Sequence, residues 1–193
     1  MIPILILAAG ASSRMRGRDK LLEQVDGMPL IRQRALAALR TGQPVFITLP
    51  ALDHPRHATI ADLGVTTIPV PDAATGMAAS LRTGVAALPE CRHFMVLLAD
   101  LPEITSADMC DLITNITDLH RIWRGTAADG TPGHPIIFHA SLRRAFETLT
   151  GDSGARTILA AHPTKLIALP NQHATRDLDT PEDWAAWRAG TPR

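Results

Sequence analysis

Ile2-Pro3-Ile4-Leu5-Ile6-Leu7-Ala8-Ala9-Gly10-Ala11-Ser12-Ser13-Arg14-Met15 opens the chain and decides how the rest is read. Residues 2–7 are apolar and rich in β-branched side chains, which predicts a strand buried on both faces, as in the middle of a parallel sheet. The strand empties into Ala8, Ala9, Gly10 and Ala11, and the cations Arg14 and Lys20 are among the residues that follow. Small side chains let backbone N–H groups come close to an anion, and fixed cations offset phosphate charge that water would otherwise solvate. Ligands of open α/β sheets gather at the carboxyl ends of strands, so this junction is expected to hold a triphosphate. It matches neither commoner phosphate-binding pattern. Gly10 is followed by Ala11, Ser12 and Ser13, which fits neither Gly-x-x-x-x-Gly-Lys-Ser/Thr nor Gly-x-Gly-x-x-Gly.

Further short apolar runs occur at residues 44–49, 65–70, 94–98, 135–138 and 166–169. Between most of them lie helical patterns, at residues 29–40, 77–88, 107–116, 141–149 and 181–187, with Gly42, Pro89, Gly151 and Gly190 as stops. This alternation predicts an α/β fold with a mainly parallel sheet covered on both faces. The Gly- and Pro-rich stretch at residues 125–135 is read as an active-site loop. A chain of 193 residues fits one domain. Such a domain buries roughly 70% of the surface its unfolded form exposes.

Nineteen basic and nineteen acidic residues cancel, so no global field steers the protein to nucleic acid or to an anionic membrane. Any anionic ligand needs a local site. The opening apolar run is far shorter than the about 18 residues that span a bilayer, and no basic residue precedes it as in a signal peptide. A cytoplasmic protein is expected. Cys91 and Cys110 lack metal-ligand spacing and read as free thiols. His54, His57 and His139 form no paired ligand pattern.

Two carboxylates carry the metal chemistry. Phe94-Met95-Val96-Leu97-Leu98-Ala99-Asp100 is a strongly apolar strand that delivers Asp100 at its carboxyl end, where Mg²⁺ could be held by one or two carboxylates with phosphates and waters filling the rest. The plainer alternative is an Asp that starts a turn before Pro102. Thr180-Pro181-Glu182-Asp183 is a helix start, with a hydroxyl cap, a preset φ and acids at the positive end of the dipole. Capping leaves Asp179 unexplained, and Asp179 is expected to face the same metal as Asp100. Ser80, near a helix start after Gly76, is placed to meet base or ribose, or else simply orders the helix. Trp184 and Trp187, three apart, read as packing residues.

In order along the chain stand Leu7-Ala8-Ala9-Gly10 with Arg14-Met15 and Lys20-Leu21, then Gly76-Met77-Ala78-Ala79-Ser80-Leu81, Asp100-Leu101-Pro102, Gly133-His134-Pro135, Gly151-Asp152-Ser153-Gly154-Ala155-Arg156 and Asp179-Thr180-Pro181-Glu182-Asp183. Together they resemble the molybdenum cofactor cytidylyltransferases, within the MobA-like nucleotidyltransferase group. The resemblance covers nearly the whole chain. It implies a three-layer Rossmann-like nucleotidyltransferase fold with a mainly parallel, mixed central sheet, in one domain over residues 1–193 whose amino-terminal part binds nucleotide and whose carboxyl-terminal part binds acceptor. Ala9, Gly76-Met77 and Gly133-His134-Pro135 favour the cytidylyl over the guanylyl branch. One departure is present: Arg16 intervenes before Gly17, where the family pattern commonly reads Arg-Met-Gly, so this residue must bulge for Arg14 and Lys20 to reach one triphosphate.

The activity so implied is attack by the phosphate of molybdopterin or molybdenum cofactor on the α-phosphorus of CTP, with Mg²⁺ held by Asp100 and Asp179 and pyrophosphate leaving against Arg14 and Lys20. Leu7, Ala8, Ala9, Gly10, Gly76, Met77 and Ser80 complete the expected nucleotide site, and His134 and Arg156 the acceptor site. A molybdenum hydroxylase, or the chaperone that matures it, is the implied recipient of the product. Competing readings are the same chemistry on a sugar or polyol phosphate, the use of GTP, and a nucleotide-binding carrier without turnover.

Overall fold

A computed structural model describes residues 1–152 and 154–190. The chain runs from β1 (Ile4–Leu7) through a 3₁₀ turn (Ser13–Met15) and a short ribbon, β2 (Gln24–Val25) with β3 (Met28–Pro29), into α1 (Leu30–Leu39). Then come β4 (Val45–Leu49), α2 (Pro55–Ala58), β5 (Val65–Pro69), a second 3₁₀ turn (Ala73–Thr75), α3 (Met77–Ala87) and β6 (His93–Leu98). The carboxyl-terminal part adds α4 (Ser106–Thr114), β7 (Ile122–Thr126), β8 (Pro132–His139), a third 3₁₀ turn (Ala140–Leu142), α5 (Arg143–Glu147), α6 (Arg156–Ala161), β9 (Thr164–Ala168) and α7 (Pro181–Gly190).

Among the described residues, seven strands form one sheet in the order β5-β4-β1-β6-β8-β7-β9. β1 lies between β4 and β6 and is parallel to both, with Ile4 opposite Val45 and Met95. Its side chains alternate between faces, as strand geometry requires. Ile4 and Ile6 pack with Leu30, Ile31, Met109 and Leu112 from α1 and α4. Leu5 packs on the other face with Leu81 and Val85 from α3 and with Phe94 and Phe138. All three are fully buried, which contributes about 1.5–3 kcal/mol per side chain relative to exposure. The opening run is thus the two-sided central strand its composition predicts, in a mixed α/β layer structure.

β8 runs antiparallel to both β6 and β7, whereas β7 and β9 are parallel. The carboxyl ends of β1, β4, β5, β6, β7 and β9 therefore share one edge of the sheet with the start of β8. The loop after β1 and the residues that leave β6 emerge at that edge.

The stretch at residues 125–135 is not a loop. Gly125 belongs to β7 and Pro132 to Pro135 belong to β8, and only a tight hairpin joins them, closed by Ala127 N–H to Thr131 O at 2.9 Å. Arg124 and Gly125 interrupt the apolar alternation, so the local strand signal is weak; pairing on both sides of β7 supplies what local sequence lacks. Gly125 is suited to the position because a Cβ there would lie 2.9 Å from the His134 carbonyl oxygen. α2 and α6 are too short to show a helical period. Gly190 is the last described residue of α7. Trp184 and Trp187 pack edge to face at 6.0 Å, and Cys91 and Cys110 are free thiols. No helix among the described residues is long and apolar enough to cross a membrane.

Candidate active site

The loop after β1 begins in register with its neighbour strand, where the Ala8 N–H donates to the buried Thr48 hydroxyl at 3.2 Å. Ser12 is left-handed (φ 52), the 3₁₀ turn follows, and Arg16 (φ 52) and Gly17 (φ 86) are left-handed in succession. This pair turns the chain outward, closed by Arg18 N–H to Met15 O at 3.1 Å, while Met15 anchors the turn in the core. So the additional residue is absorbed as an outward turn, at a cost on the order of 1 kcal/mol for a left-handed residue with a side chain. Arg16 itself pairs at the surface with Glu182 at 2.6 Å.

The chain returns at Lys20, and three segments distant in sequence meet there. Lys20 Nζ donates to Asp100 Oδ2 at 2.5 Å and to Asp179 Oδ1 at 2.6 Å, each of the three side chains being only 15% exposed. Arg14 reaches the other oxygen of Asp179 at 2.7 Å from a largely exposed position. Burial would lower the Lys20 pKa, but Asp100 and Asp179 outweigh it and hold the ammonium above its ordinary value. Asp100 stands at the exit of β6, where Ala99 N–H bonds to Leu7 O at 3.2 Å. Its own carbonyl accepts from Leu178 N–H at 3.2 Å, which brings the Asp179 segment to the sheet edge. Beyond it Thr180 and Asp183 cap α7 reciprocally, with Thr180 N–H to Asp183 at 2.8 Å and Asp183 N–H to the Thr180 hydroxyl at 3.1 Å.

Asp177 is a third carboxylate, to which the sequence reading gives no role. One oxygen from each of Asp100, Asp177 and Asp179 lies within 4.8 Å of the others. Desolvation, then Asp179 and Asp100, push the Asp177 carboxyl up. Asp100 Oδ1 is buried without a hydrogen-bond partner. A hard-oxygen set with an orphaned oxygen and mutual repulsion fits a divalent cation of the Mg²⁺ or Mn²⁺ kind. The sequence does carry a cue, since Asp177 stands two positions before Asp179 in the same run.

Leu7, Ala8, Ala9, Gly10, Lys20, Gly76, Met77, Ser80 and Asp100 all line one cleft of about 350 Å³. Arg14 and Asp179 join it through the Lys20 cluster. Gly76 has φ +119, and a Cβ there would sit 2.5 Å from Asp152 Oδ1 and 2.6 Å from the Gly151 backbone. The close approach is used: Ala78 N–H donates to Gly151 O at 3.0 Å and Met77 N–H to Asp152 Oδ1 at 3.2 Å. Asp152 therefore closes the cleft at the start of α3, which no local pattern discloses. Ser153 of the same run lies outside the described residues.

His134 and Arg156 are not among the residues lining this cleft. Arg156 is exposed on the first turn of α6. His134 Nδ1 lies 3.4 Å from Val96 O, and burial pushes its pKa down to about 4, so the ring is neutral near pH 7. The Gly133-His134 pair has a visible structural role, since His134 N–H donates to Ala174 O at 2.8 Å and a Cβ on Gly133 would lie 1.9 Å from that oxygen. It pins the strap that goes on to carry Asp177 and Asp179. A wider depression of about 690 Å³ opens past Pro102, beside Glu103, Arg176 and Trp187, and contains none of the site residues expected from sequence.

The family model described as the MobA-like NTP transferase domain matches residues 4–166. A curated relative, a probable molybdenum cofactor guanylyltransferase of Trichormus variabilis (strain ATCC 29413 / PCC 7937), is 25% identical over 187 residues, covering 94% of this chain and 87% of the relative. The crystal structure of Rv0371c from Mycobacterium tuberculosis H37Rv superposes with a TM-score of 0.83 at 25% identity, over 98% of each chain. The Rv0371c complex with manganese gives a TM-score of 0.81 at 24% identity, over 98% of this chain and 99% of that one. The match runs from the buried first strand through most of the chain, and the chain belongs to the MobA-like NTP transferases, a family of nucleotidyltransferases.

Proposed function

We propose that the protein transfers CMP from CTP to the terminal phosphate of molybdopterin, or of the molybdenum-loaded cofactor, and releases pyrophosphate. The observation that carries this reading is Lys20 held between Asp100 and Asp179 at the mouth of a cleft walled by Ala8-Ala9-Gly10 on one side and Gly76-Met77 on the other. The acceptor phosphate is already a nucleophile at neutral pH, so its oxygen forms the bond to the α-phosphorus while the bond to the pyrophosphate oxygen breaks. The protein's work is alignment and charge stabilisation. Backbone N–H groups of the loop and the cations Lys20 and Arg14 receive the charge that collects on the leaving pyrophosphate. When bound, Mg²⁺ at Asp100 and Asp179, with Asp177 beside them, would supply electrostatic stabilisation of the phosphates. The carboxyl-terminal part, including His134 and Arg156, forms the acceptor side of the same domain.

The choice of CTP is supported by the resemblance at Ala9 and by packing. The Ala9 methyl is buried against Val70 and Ala79, so the wall of the cleft is filled where a glycine would leave room. A second reading uses GTP, favoured by the guanylyltransferase name of the Trichormus relative; that name also supports the molybdenum cofactor as acceptor. Pyrophosphate release is measured with purified molybdopterin and CTP, GTP or ATP, with Mg²⁺ or Mn²⁺. Release with CTP alone is expected. Release only with GTP establishes the second reading, and release with no nucleotide on this acceptor refutes both.

A further inference from the structure

Arg56 is a charged side chain buried to 1% exposure, and nothing in the proposed chemistry uses it. It sits on α2, where Pro55 presets the first turn and His54 Nδ1 accepts from the Arg56 backbone N–H at 3.2 Å. Its guanidinium is committed to the loop after β1 at three points. Nη1 donates to Ala8 O at 2.6 Å, Nε and Nη2 grip the two oxygens of Asp19 at 2.7 Å each, and Nη2 also reaches the Ser12 hydroxyl at 3.0 Å. Ala8, Ser12 and Asp19 are the start, middle and end of that loop. The Ser12 hydroxyl donates to Asp19 at 3.2 Å and accepts from Lys20 N–H at 3.3 Å, and Leu21 N–H donates to Asp19 at 3.0 Å. Burial would raise the Asp19 pKa, yet Arg56, Leu21 and Ser12 hold the carboxyl below its ordinary value.

We propose that Arg56, with Asp19, is a positioning residue for nucleotide binding: the fork holds the loop from Ala8 to Lys20 in its phosphate-receiving shape before the nucleotide arrives, and fixes where Lys20 stands. The proposal rests on the reading of this loop as the triphosphate site. Three physical points support it. A guanidinium–carboxylate fork is geometrically stringent in a way that a lysine or a single hydrogen bond is not. Buried ion pairs contribute little to net stability, so its value here lies in the geometry it imposes. The loop also carries left-handed Ser12 and Arg16, and such conformations persist only where surrounding contacts over-determine them. Without the fork, the competent loop is one conformer among several, and apparent affinity falls by the fraction lost.

The test is calorimetric titration of CTP and of GTP, each with Mn²⁺, into the wild-type protein and into Arg56→Lys and Asp19→Asn, with the melting temperature of each protein measured alongside. For whichever nucleotide the wild type binds, both variants are expected to raise Kd at least about tenfold at a temperature well below their melting points. A merely structural role would lower the melting temperature and leave Kd of the folded protein unmoved. Should Arg56→Lys fail to fold, Asp19→Asn decides, since it keeps the side-chain shape and removes the charge. Wild-type Kd values in the folded variants overturn the proposal while leaving the loop's function standing. Absence of binding of either nucleotide to the wild type overturns the two together.

Discussion

Replacing Lys20 with methionine should make the protein bind a divalent cation more tightly while disabling it as a transferase. In the structure the Lys20 ammonium stands where a cation between Asp100 and Asp179 would stand, at 2.5 and 2.6 Å from their oxygens, and each of the three side chains retains only 15% exposure to water. A metal ion entering without nucleotide must break both contacts. Hydrogen bonds to charged groups contribute about 1.5–3 kcal/mol each, net of the bonds water would otherwise make. Losing even one such contact at the lower figure of about 1.5 kcal/mol corresponds to about tenfold in metal affinity. In Lys20→Met that competitor is gone, and the repulsion among Asp100, Asp177 and Asp179, which Arg14 offsets at Asp179 alone, is relieved by the metal. Mn²⁺ titration followed by the EPR signal of free Mn²⁺ reads this directly, and is expected to give a Kd about tenfold lower than wild type, or lower still, in the absence of nucleotide. Pyrophosphate release should fall by about 10²–10³, the usual consequence of losing one fixed charge at a developing anion. An unchanged or weaker Mn²⁺ Kd would refute the view that lysine and metal compete for one position.

Asp100→Asn should abolish metal-dependent pyrophosphate release with little change in melting temperature; retention of a tenth or more of the rate would remove Asp100 from the reaction. Ala9→Gly should shift the CTP-to-GTP ratio of kcat/KM toward GTP by opening the wall packed on Val70 and Ala79, and a ratio that stays put argues that the base is read elsewhere. Gly133→Ala should destabilise the fold by about 2–4 kcal/mol in urea, because a Cβ 1.9 Å from Ala174 O forces backbone apart; a loss below about 1 kcal/mol would show that the strap moves freely. Stability should also fall as pH drops from about 6.5 toward 4. Burial, with His139 and Arg92, pushes His93 down to about 4, and burial does the same to His134, so in that window the unfolded chain binds protons that the folded one refuses. Each group withdraws up to about 3 kcal/mol by pH 4, and a urea midpoint equal at pH 7 and pH 5 would contradict both assignments.

Much of the site is legible in sequence because it is made at strand ends. A run such as residues 94–99 specifies its own burial, and the residue that follows it must emerge at the sheet edge. Asp100 and the Ala8-Ala9-Gly10 loop are readable on that ground. Asp152, Asp177 and Arg56 are not, for different reasons. Asp152 acts by accepting from the Met77 backbone, across 75 residues of chain. Asp177 comes beside Asp179 and Asp100 only because Leu178 N–H docks its segment on the Asp100 carbonyl. Arg56 sits on a helix of four residues with no period to read, and only packing shows that it reaches back to Ala8.

By itself, the sequence determined the α/β layering, the central place of β1 and the candidate phosphate loop, because hydrophobic periodicity and strand-end chemistry are local properties that each segment carries with it. Only the tertiary structure decided that residues 125–135 are two strand ends joined by a hairpin turn, and that Lys20 meets carboxylates 80 and 159 positions away. Those outcomes depend on which strands become neighbours and on how buried charges find partners, and no local pattern encodes either.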